Sequence, residues 1–189
     1  MTTTFDCRRG RAIIPWAFDT AMSLLRQSEP QRWAHTLGVV DRAEQVRPAL
    51  EPEEAAILVA CAYLHDVGYA QALRRTGAHQ LDGALALRSC GEDRLAALVA
   101  HHSEAAFELE MRGLGTELSS YPKEVSPLSD ALTYCDLTTG PAGERVAALD
   151  RMGEVERRYG EGVIIDALRA ARPALLSAAS RTEARMQAG

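Results

Sequence analysis

The sequence predicts an all-α fold, in the form of a single-domain helical bundle. Apolar residues recur three, four and seven positions apart along most of the chain, which is the spacing of one helix face. No run of β-branched residues alternates with polar residues as a half-buried strand would require. The 189 residues, 47% of them hydrophobic, suffice for one core. We therefore predict one domain over residues 1–189.

Prolines mark the first two helices. The first begins near Pro15 and ends near Ser28, and Pro30 opens the second, which ends before Pro48. Four residues of the second helix form a stripe at helical spacing: His35, Val39, Ala43 and Val46. A stripe of this kind faces the core, so the register directs His35 inward.

The third helix is predicted to be the central, buried one. Residues Glu51–Glu54 favour a helix start, because proline fits the first turn and acidic side chains stabilise the positive end of the helix dipole. Residues 55–64 are apolar on every side, as in a helix that is surrounded by others. Gly68 is its natural stop.

Two histidine-bearing helices are predicted next. After a short loop at residues 74–77, a helix carries His79 and ends at Gly91. The following helix has an apolar stripe that consists of Leu95, Leu98, Val99 and His102. Residues three, four and seven apart share a helix side, so His102 is predicted to face inward and His101 to lie off that face.

The last third of the chain combines a loop with three helices. Residues 113–125 read as a mobile loop long enough for a lid. Pro127 restarts a helix on which Asp136 aligns with the apolar residues, whereas Asp130 does not, and residues 138–141 end it. Helices are then predicted over residues 145–159 and 163–186, the second kinked or broken near Pro173.

Composition restricts the partners. The net charge of −5 argues against a nucleic-acid polymer or an anionic membrane surface, because both attract concentrated positive charge. No segment has the apolar length of an export signal or a membrane span, so a cytoplasmic protein is expected. The expected partner is a small soluble substrate, and the oligomeric state, a homodimer included, stays open.

The cysteines are expected to be free thiols. The four of them, Cys7, Cys61, Cys90 and Cys135, are widely spaced. Cys61 and Cys135 lie inside apolar helical runs, where a thiol behaves as a small hydrophobe. This usage fits a reducing compartment.

Imidazoles and carboxylates recur on consecutive helices and predict a metal site. Its proposed ligands are His35, His65, Asp66, His79, His102 and Asp136. Mixed nitrogen and oxygen donors suit divalent Fe, Mn, Co, Ni or Zn, and Mg is also compatible. Adjacent helical residues point about 100° apart, so His65 and Asp66 reach one ion only where the helix ends. Asp66 has two oxygens and is able to bridge two ions, with His79 and His102 on the second. One ion and two ions both remain open here.

With these residues the chain resembles the HD superfamily of metal-dependent phosphohydrolases. The family pattern is a His, a His-Asp pair and a later Asp, with two further His in its dinuclear branch. The six proposed ligands match it in order. The resemblance covers residues 31–141 and leaves the helices of residues 142–189 to pack on that core. It implies hydrolysis of phosphoester or phosphoanhydride bonds, commonly in nucleotides.

Four residues are assigned to the substrate side. Arg32 precedes His35 by nearly one turn and is placed to grip a phosphate, or else forms a surface salt bridge. Tyr69 follows the His-Asp-Val-Gly sequence where many family members carry lysine, so that substrate contact differs here. Thr139 and Arg145 lie around the Thr-Thr-Gly-Pro segment and complete the set.

Three polar residues near these motifs receive other roles. His101 is interpreted as exposed or as supporting a neighbouring ligand. Asp82, almost one turn after His79, is interpreted as a solvated helix residue or as an acid that orients an imidazole. Asp130 is interpreted as a carboxylate favoured by the start of its helix.

The leading functional hypothesis is a metal-dependent hydrolase of a small phosphorylated metabolite, such as a nucleotide, in which Asp66 also accepts a proton. The second is a diiron oxygenase, because a minority branch of the same superfamily uses this ligand set to cleave inositol or phosphonates. The third is a non-catalytic sensor that binds a nucleotide, against which the complete ligand set speaks.

Overall fold

The computed structural model describes residues 5–188, and within this range the chain is helical with no strand. The α-helices run α1 Ile13–Leu25, α2 Pro30–Val46, α3 Pro52–Leu64, α4 His79–Ser89, α5 Asp93–His101, α6 Ala106–Met111, α7 Gly115–Ser119, α8 Pro127–Leu137, α9 Ala148–Tyr159 and α10 Val163–Ala188. Short 3-10 turns cover Arg47–Ala49, Val67–Tyr69, Gln71–Leu73 and His102–Glu104. The prediction of an all-α fold is confirmed.

Helix α3 forms the centre of the bundle, with α1, α2, α5 and α8 packed around it. Its apolar side chains are buried on several sides; Leu58, Cys61 and Leu64 are fully inaccessible to solvent. A helix with apolar residues all round cannot be placed at a surface without exposing them, so the others enclose it. The predicted central position of this helix is confirmed, and its last residue directly precedes the His65-Asp66 pair.

Gly68 acts differently from the helix stop that the sequence suggested. Helix α3 ends at Leu64, and Gly68 lies inside the 3-10 turn Val67–Tyr69. A Cβ atom at Gly68 would overlap the backbone carbonyl of His79. Gly68 therefore allows the turn to pack directly on the start of α4. The stop assigned to Gly91 is confirmed, with a φ of 76° just after α4.

Residues 113–125 contain a helix where the sequence suggested only a mobile loop. Helix α7 lies within this segment, and Leu118 and Tyr121 are buried in the core. The guanidinium of Arg88 lies 3.6 Å from the centre of the Tyr121 ring, and its Nη2 donates to the Ser120 carbonyl oxygen. These contacts anchor the segment, so the prediction that it is only a loop is wrong.

The C-terminal helices pack on the rest of the bundle. Helix α10 runs through Pro173 without the break that was one of the two predicted alternatives, and it contacts α8 and α6. Asp130 in the first turn of α8 accepts hydrogen bonds from Arg181 and Arg185 of α10. Asp130 therefore holds two helices together in addition to its favourable place at a helix start.

Two of the four cysteines are paired, which corrects the expectation of free thiols. Cys7 and Cys90 form a disulfide between Cα atoms 5.1 Å apart, whereas Cys61 and Cys135 are free and buried as predicted. The pair is separated by 83 residues, so nothing in the local sequence indicates it. The cytoplasmic location loses the support of cysteine usage and stays a prediction.

Among residues 5–188, none of the helices is both long and apolar enough to cross a membrane.

Candidate metal centre

Five elements bring the six proposed ligands together. His65 and Asp66 follow the last residue of α3, where the chain leaves regular helical geometry, with Asp66 at φ −102° and ψ 5°. The imidazole rings are close to one another. The ring centroids of His35 and His65 are 5.5 Å apart, and those of His65 and His102 are 5.3 Å apart. His79 is the first residue of α4, and its ring centroid lies 5.3 Å from that of His102.

Three of the imidazoles are oriented by backbone carbonyl groups. The Nδ1 atoms of His35, His65 and His102 lie 3.0, 2.9 and 2.6 Å from the carbonyl oxygens of Gly140, Ala62 and Val99, respectively. When Nδ1–H donates to a carbonyl oxygen, Nε2 keeps its lone pair and is able to ligate a metal.

The Nε2 atom of His65 supports this reading. It is buried and has no hydrogen-bond partner within the described part of the chain. An unsatisfied buried nitrogen is costly unless something absent from the protein completes it. A divalent cation is the group that this donor set fits.

The ligand atoms form two groups that share Asp66. One group joins His35, His65 and Asp66, and the other joins Asp66, His79 and His102; within each, the ligand atoms all lie within 4.8 Å of one another. Asp136 lies beside the first group, because its Oδ1 is 3.0 Å from Nε2 of His35. This arrangement suits one ion in the first group and a second ion across the shared carboxylate.

The protonation states favour cation binding. Burial lowers the pKa of His65 and lowers that of His79 to about 3, so both imidazoles are neutral at neutral pH. Burial opposes ionisation of Asp66, but electrostatic interactions, with His65 first and with the Arg32 guanidinium next, outweigh burial and hold the pKa of Asp66 well below its usual value. Ligands must be deprotonated to bind a metal, and these three meet that condition.

His35 and Asp136 form a hydrogen-bonded pair. Burial disfavours the cationic form of His35, but the hydrogen bond and charge of Asp136 outweigh burial and raise the pKa of His35. In Asp136 burial is likewise outweighed, by the hydrogen bond from His35, and its pKa lies well below the usual value. A metal bound here would replace the proton that the pair shares.

Ser103 is a site residue that the sequence analysis missed. Its hydroxyl donates a short hydrogen bond to Oδ2 of Asp136, which leaves Oδ1 toward His35. Ser103 has a φ of 52°, a left-handed backbone conformation that is uncommon outside glycine. The only sequence signal is its position directly after His102, where α5 has ended.

His102 was predicted to lie on the inward face of the helix, but it is the first residue after that helix ends. Helix α5 ends at His101, and His102 has a ψ of 148°. Its imidazole is nevertheless buried at the site, 4% exposed. His101 lies away from the cluster, and its Nε2 is 2.8 Å from the Tyr121 carbonyl oxygen. The sequence prediction separated the two histidines as the structure does, but the end of the helix contributes to the placement of His102.

Arg32 and Tyr69 cover one side of the cluster. Nη1 of Arg32 donates to Oδ2 of Asp66 across 3.2 Å, and its guanidinium lies 4.1 Å from the centre of the Tyr69 ring. The Tyr69 ring is stacked on His79 with a centroid distance of 4.1 Å. Arg32 is thus a partner of a proposed ligand rather than a surface residue, and both it and Tyr69 line the cavity described below.

Thr139 and Arg145 are not brought to the site, which corrects their assignment to the substrate side. The Thr139 hydroxyl is buried and donates to the Cys135 carbonyl oxygen, and neither residue lines the cavity. The two residues face each other instead in an isolated β-bridge. The turn after α8 requires this pairing, and proximity in sequence to Asp136 gave no information about it.

Asp82 also has a role that the sequence did not indicate. It is buried and accepts hydrogen bonds from the backbone N–H groups of Thr76 and Gly77 and from the Thr76 hydroxyl. Its carboxylate therefore fixes the loop that enters α4 and neither faces solvent nor orients an imidazole.

A cavity of about 480 Å³ opens on the cluster. This lies in the range of about 300–1,000 Å³ that is usual for small-molecule sites. Arg32, Asp66, His79, His102 and Asp136 line one part of it. Residues of α9 and α10 line another part, which the sequence did not assign to the site.

Comparison with protein families places this site in a known class. A family model described as HD domain matches residues 32–136, and the chain belongs to that family. All six proposed metal ligands fall inside the matched region. No curated protein and no solved structure shows a significant match to the chain.

Proposed function

We propose that this protein is a metal-dependent phosphohydrolase that acts on a small phosphorylated compound. The observation that carries the proposal is the pair of donor groups that share Asp66, at the floor of a cavity of small-molecule size. His35, His65, Asp66 and Asp136 would hold one divalent ion, and Asp66, His79 and His102 the second. Membership of the HD family supports the same reaction class.

The protein's own groups have distinct tasks in this reaction. A divalent ion held there would lower the pKa of water and offset the negative charge on the phosphoryl oxygens. Arg32 presents a guanidinium at the edge of the cluster and binds a phosphoryl oxygen. Asp66 is ionised and accepts a proton from water, and Ser103 keeps Asp136 in place through its hydrogen bond.

The test combines metal analysis with a substrate panel. Protein purified without added metal is analysed for bound elements, then assayed with nucleotides and simple phosphate esters in the presence of Mn, Co, Fe, Ni, Zn or Mg. We expect phosphate release from at least one compound above the metal-only control, with complete loss in chelator. Absence of turnover across the whole panel would remove the hydrolase proposal.

A diiron oxygenase is the second candidate, and the nitrogen-rich ligand set favours it. Four imidazoles and two carboxylates match the donors that iron accepts. In that case the purified protein would contain two irons, show an absorption band and consume O₂ with a polyol or phosphonate. Colourless, active protein that releases phosphate without O₂ would exclude it.

A further inference from the structure

One wall of the cavity is an apolar face of α10, which we call the α10 stripe. It consists of Ile164, Ala167, Leu168, Ala171 and Leu175. The spacing places all five on one side of the helix, and the eleven steps of 1.5 Å from Ile164 to Leu175 give the stripe a length of about 16 Å. It begins at the cavity mouth, where Ile164 is 38% exposed, and ends in the interior, where Leu175 is 2% exposed.

The arginines that line the cavity all have carboxylate partners, and Arg151 and Arg158 share one of them, Glu154. Each arginine that lines the cavity has a carboxylate within 3.4 Å: Arg32 with Asp66, Arg74 with Glu29, Arg112 with Glu108, and Arg151 and Arg158 with Glu154. Only Arg32 is paired with a proposed metal ligand. Arg32 is therefore the lining arginine at which a phosphoryl group would meet a guanidinium and the metal cluster together.

The α10 stripe itself offers no partners for sugar hydroxyls, and the polar lining residues Gln80 and Tyr159 lie outside it. The α10 stripe has no hydrogen-bonding side chain, and the hydroxyl of Ser103 is used by Asp136. A buried hydroxyl without a partner weakens binding by about tenfold or more. An apolar group gains affinity on the same surface instead.

We propose that the substrate is a phosphate monoester with an elongated apolar organic group, which lies along the α10 stripe while the phosphate meets Arg32 and the metal cluster. This inference names the substrate class of the proposed hydrolase and rests on that function. The α10 stripe lies beyond the region matched by the family model, so the family match carries no information about this part of the cavity.

Binding measurements test the stripe independently of turnover. Calorimetry under nitrogen measures the Kd of methyl-, butyl- and octylphosphonate, which lack the ester bond, for the metal-loaded protein. We expect Kd to fall by up to about fourfold per added methylene, the limit set by complete burial of each CH₂ group. Equal affinity for the three compounds would overturn the proposal.

Matched variants locate the effect. Ile164→Asn and Leu168→Asn should flatten the dependence on chain length and leave the affinity for methylphosphonate unchanged. Val163→Asn is the control, because Val163 is 43% exposed on the same helix turn and does not line the cavity. If Val163→Asn flattens the dependence as strongly as Leu168→Asn does, the α10 stripe is not the binding surface.

Hydrolysis separates failure of this inference from failure of the proposed function. The assay compares octyl phosphate with glycerol phosphate and adenosine monophosphate. A preference for octyl phosphate in kcat/KM supports both proposals. Faster hydrolysis of the nucleotide or the glycerol ester refutes the apolar substrate and leaves the hydrolase intact. Chain-length-dependent phosphonate binding without hydrolysis of any compound refutes the hydrolase and leaves the α10 stripe as a binding surface.

Discussion

The two halves of the cavity are built on different principles. In the metal half, formed by residues 32–136, His65 and Asp66 are almost fully buried, at 0% and 3% exposure, and the imidazoles of His35, His65 and His102 have a backbone carbonyl as partner. In the C-terminal half, formed by α9 and α10, the arginines pair with Glu154 on their own helix, and the α10 stripe is apolar.

The difference follows from what each half has to bind. Buried ionisable groups are stable only with fixed partners, so the metal half needs atoms from several helices at defined distances. An apolar wall needs only the right shape and exclusion of water. We infer that the metal half defines the reaction and the C-terminal half selects the compound, and the following variants test this division.

The largest effect is expected from Asp66→Asn. The side chain keeps its shape but loses the charge shared by both donor groups. Removing a residue that is hydrogen-bonded to a metal ligand lowers metal affinity by about 10–100-fold. Removing the proposed ligand Asp66 itself should therefore lower metal affinity by more than about 100-fold and abolish activity. Metal content after dialysis and turnover are the measurements. Wild-type metal content in a variant with unchanged circular dichroism would contradict the proposed site.

Asp136 and Asp130 lie on the same helix but have different roles, since Asp136 lies at the cluster and Asp130 binds arginines of α10. Asp136→Ala should release metal, because Asp136 lies 3.0 Å from His35, whereas Asp130→Ala should retain it. Asp130→Ala should instead lower the free energy of unfolding by about 2 kcal/mol, since Arg181 and Arg185 lose their partner. Denaturant titration and elemental analysis measure both. Equal loss of metal in the two variants would show that our placement of Asp136 is wrong.

The histidines test whether the metal half holds two ions. His79→Ala or His102→Ala should reduce the stoichiometry from near two ions per chain to near one, because each belongs only to the second donor group. His101→Ala is the control, since its imidazole contacts the Tyr121 carbonyl group and not the cluster. A wild-type stoichiometry of one ion at saturating metal would remove the dinuclear proposal and leave a mononuclear hydrolase.

The smallest expected effect comes from Ser103→Ala. The variant removes the hydrogen bond to Asp136 and should weaken metal binding by about 10–100-fold without removing a ligand. Competition with a chelator of known affinity gives the measurement. Ser103→Gly distinguishes the hydroxyl from the left-handed backbone, which glycine adopts freely. If Ser103→Gly binds metal as the wild type does, the hydroxyl does not position Asp136.

Local patterns in the sequence were sufficient for the ligands but not for their surroundings. His35 and Asp136 were placed inward by helical register, and His65-Asp66 by the end of the apolar helix, because these signals depend on residues within a few turns. The partners of the same side chains are distant: the Gly140 carbonyl group is 105 residues from His35. A backbone carbonyl has no residue type, so composition and spacing cannot reveal it.

Misassigned residues have a common cause. Asp82 was read as solvated, yet three donors from the preceding loop surround it, and Thr139 was read as a substrate contact, yet its hydroxyl bonds to its own helix. In both cases the residue type permitted several hydrogen-bond partners. Which hydrogen-bond partner each side chain finds depends on where the chain turns. The position of each turn follows from the packing of the whole protein and not from the local sequence.

The sequence by itself determined the helical class, the central apolar helix and the six proposed ligands, since each depends on short-range periodicity and on the chemistry of the residue types. The tertiary structure determined the Cys7–Cys90 bridge, the contact of Ser103 with Asp136 and the α10 stripe in the same cavity as the cluster. These features join segments that are far apart in the chain, and no fixed spacing relates such segments because loop lengths and packing angles set their meeting points.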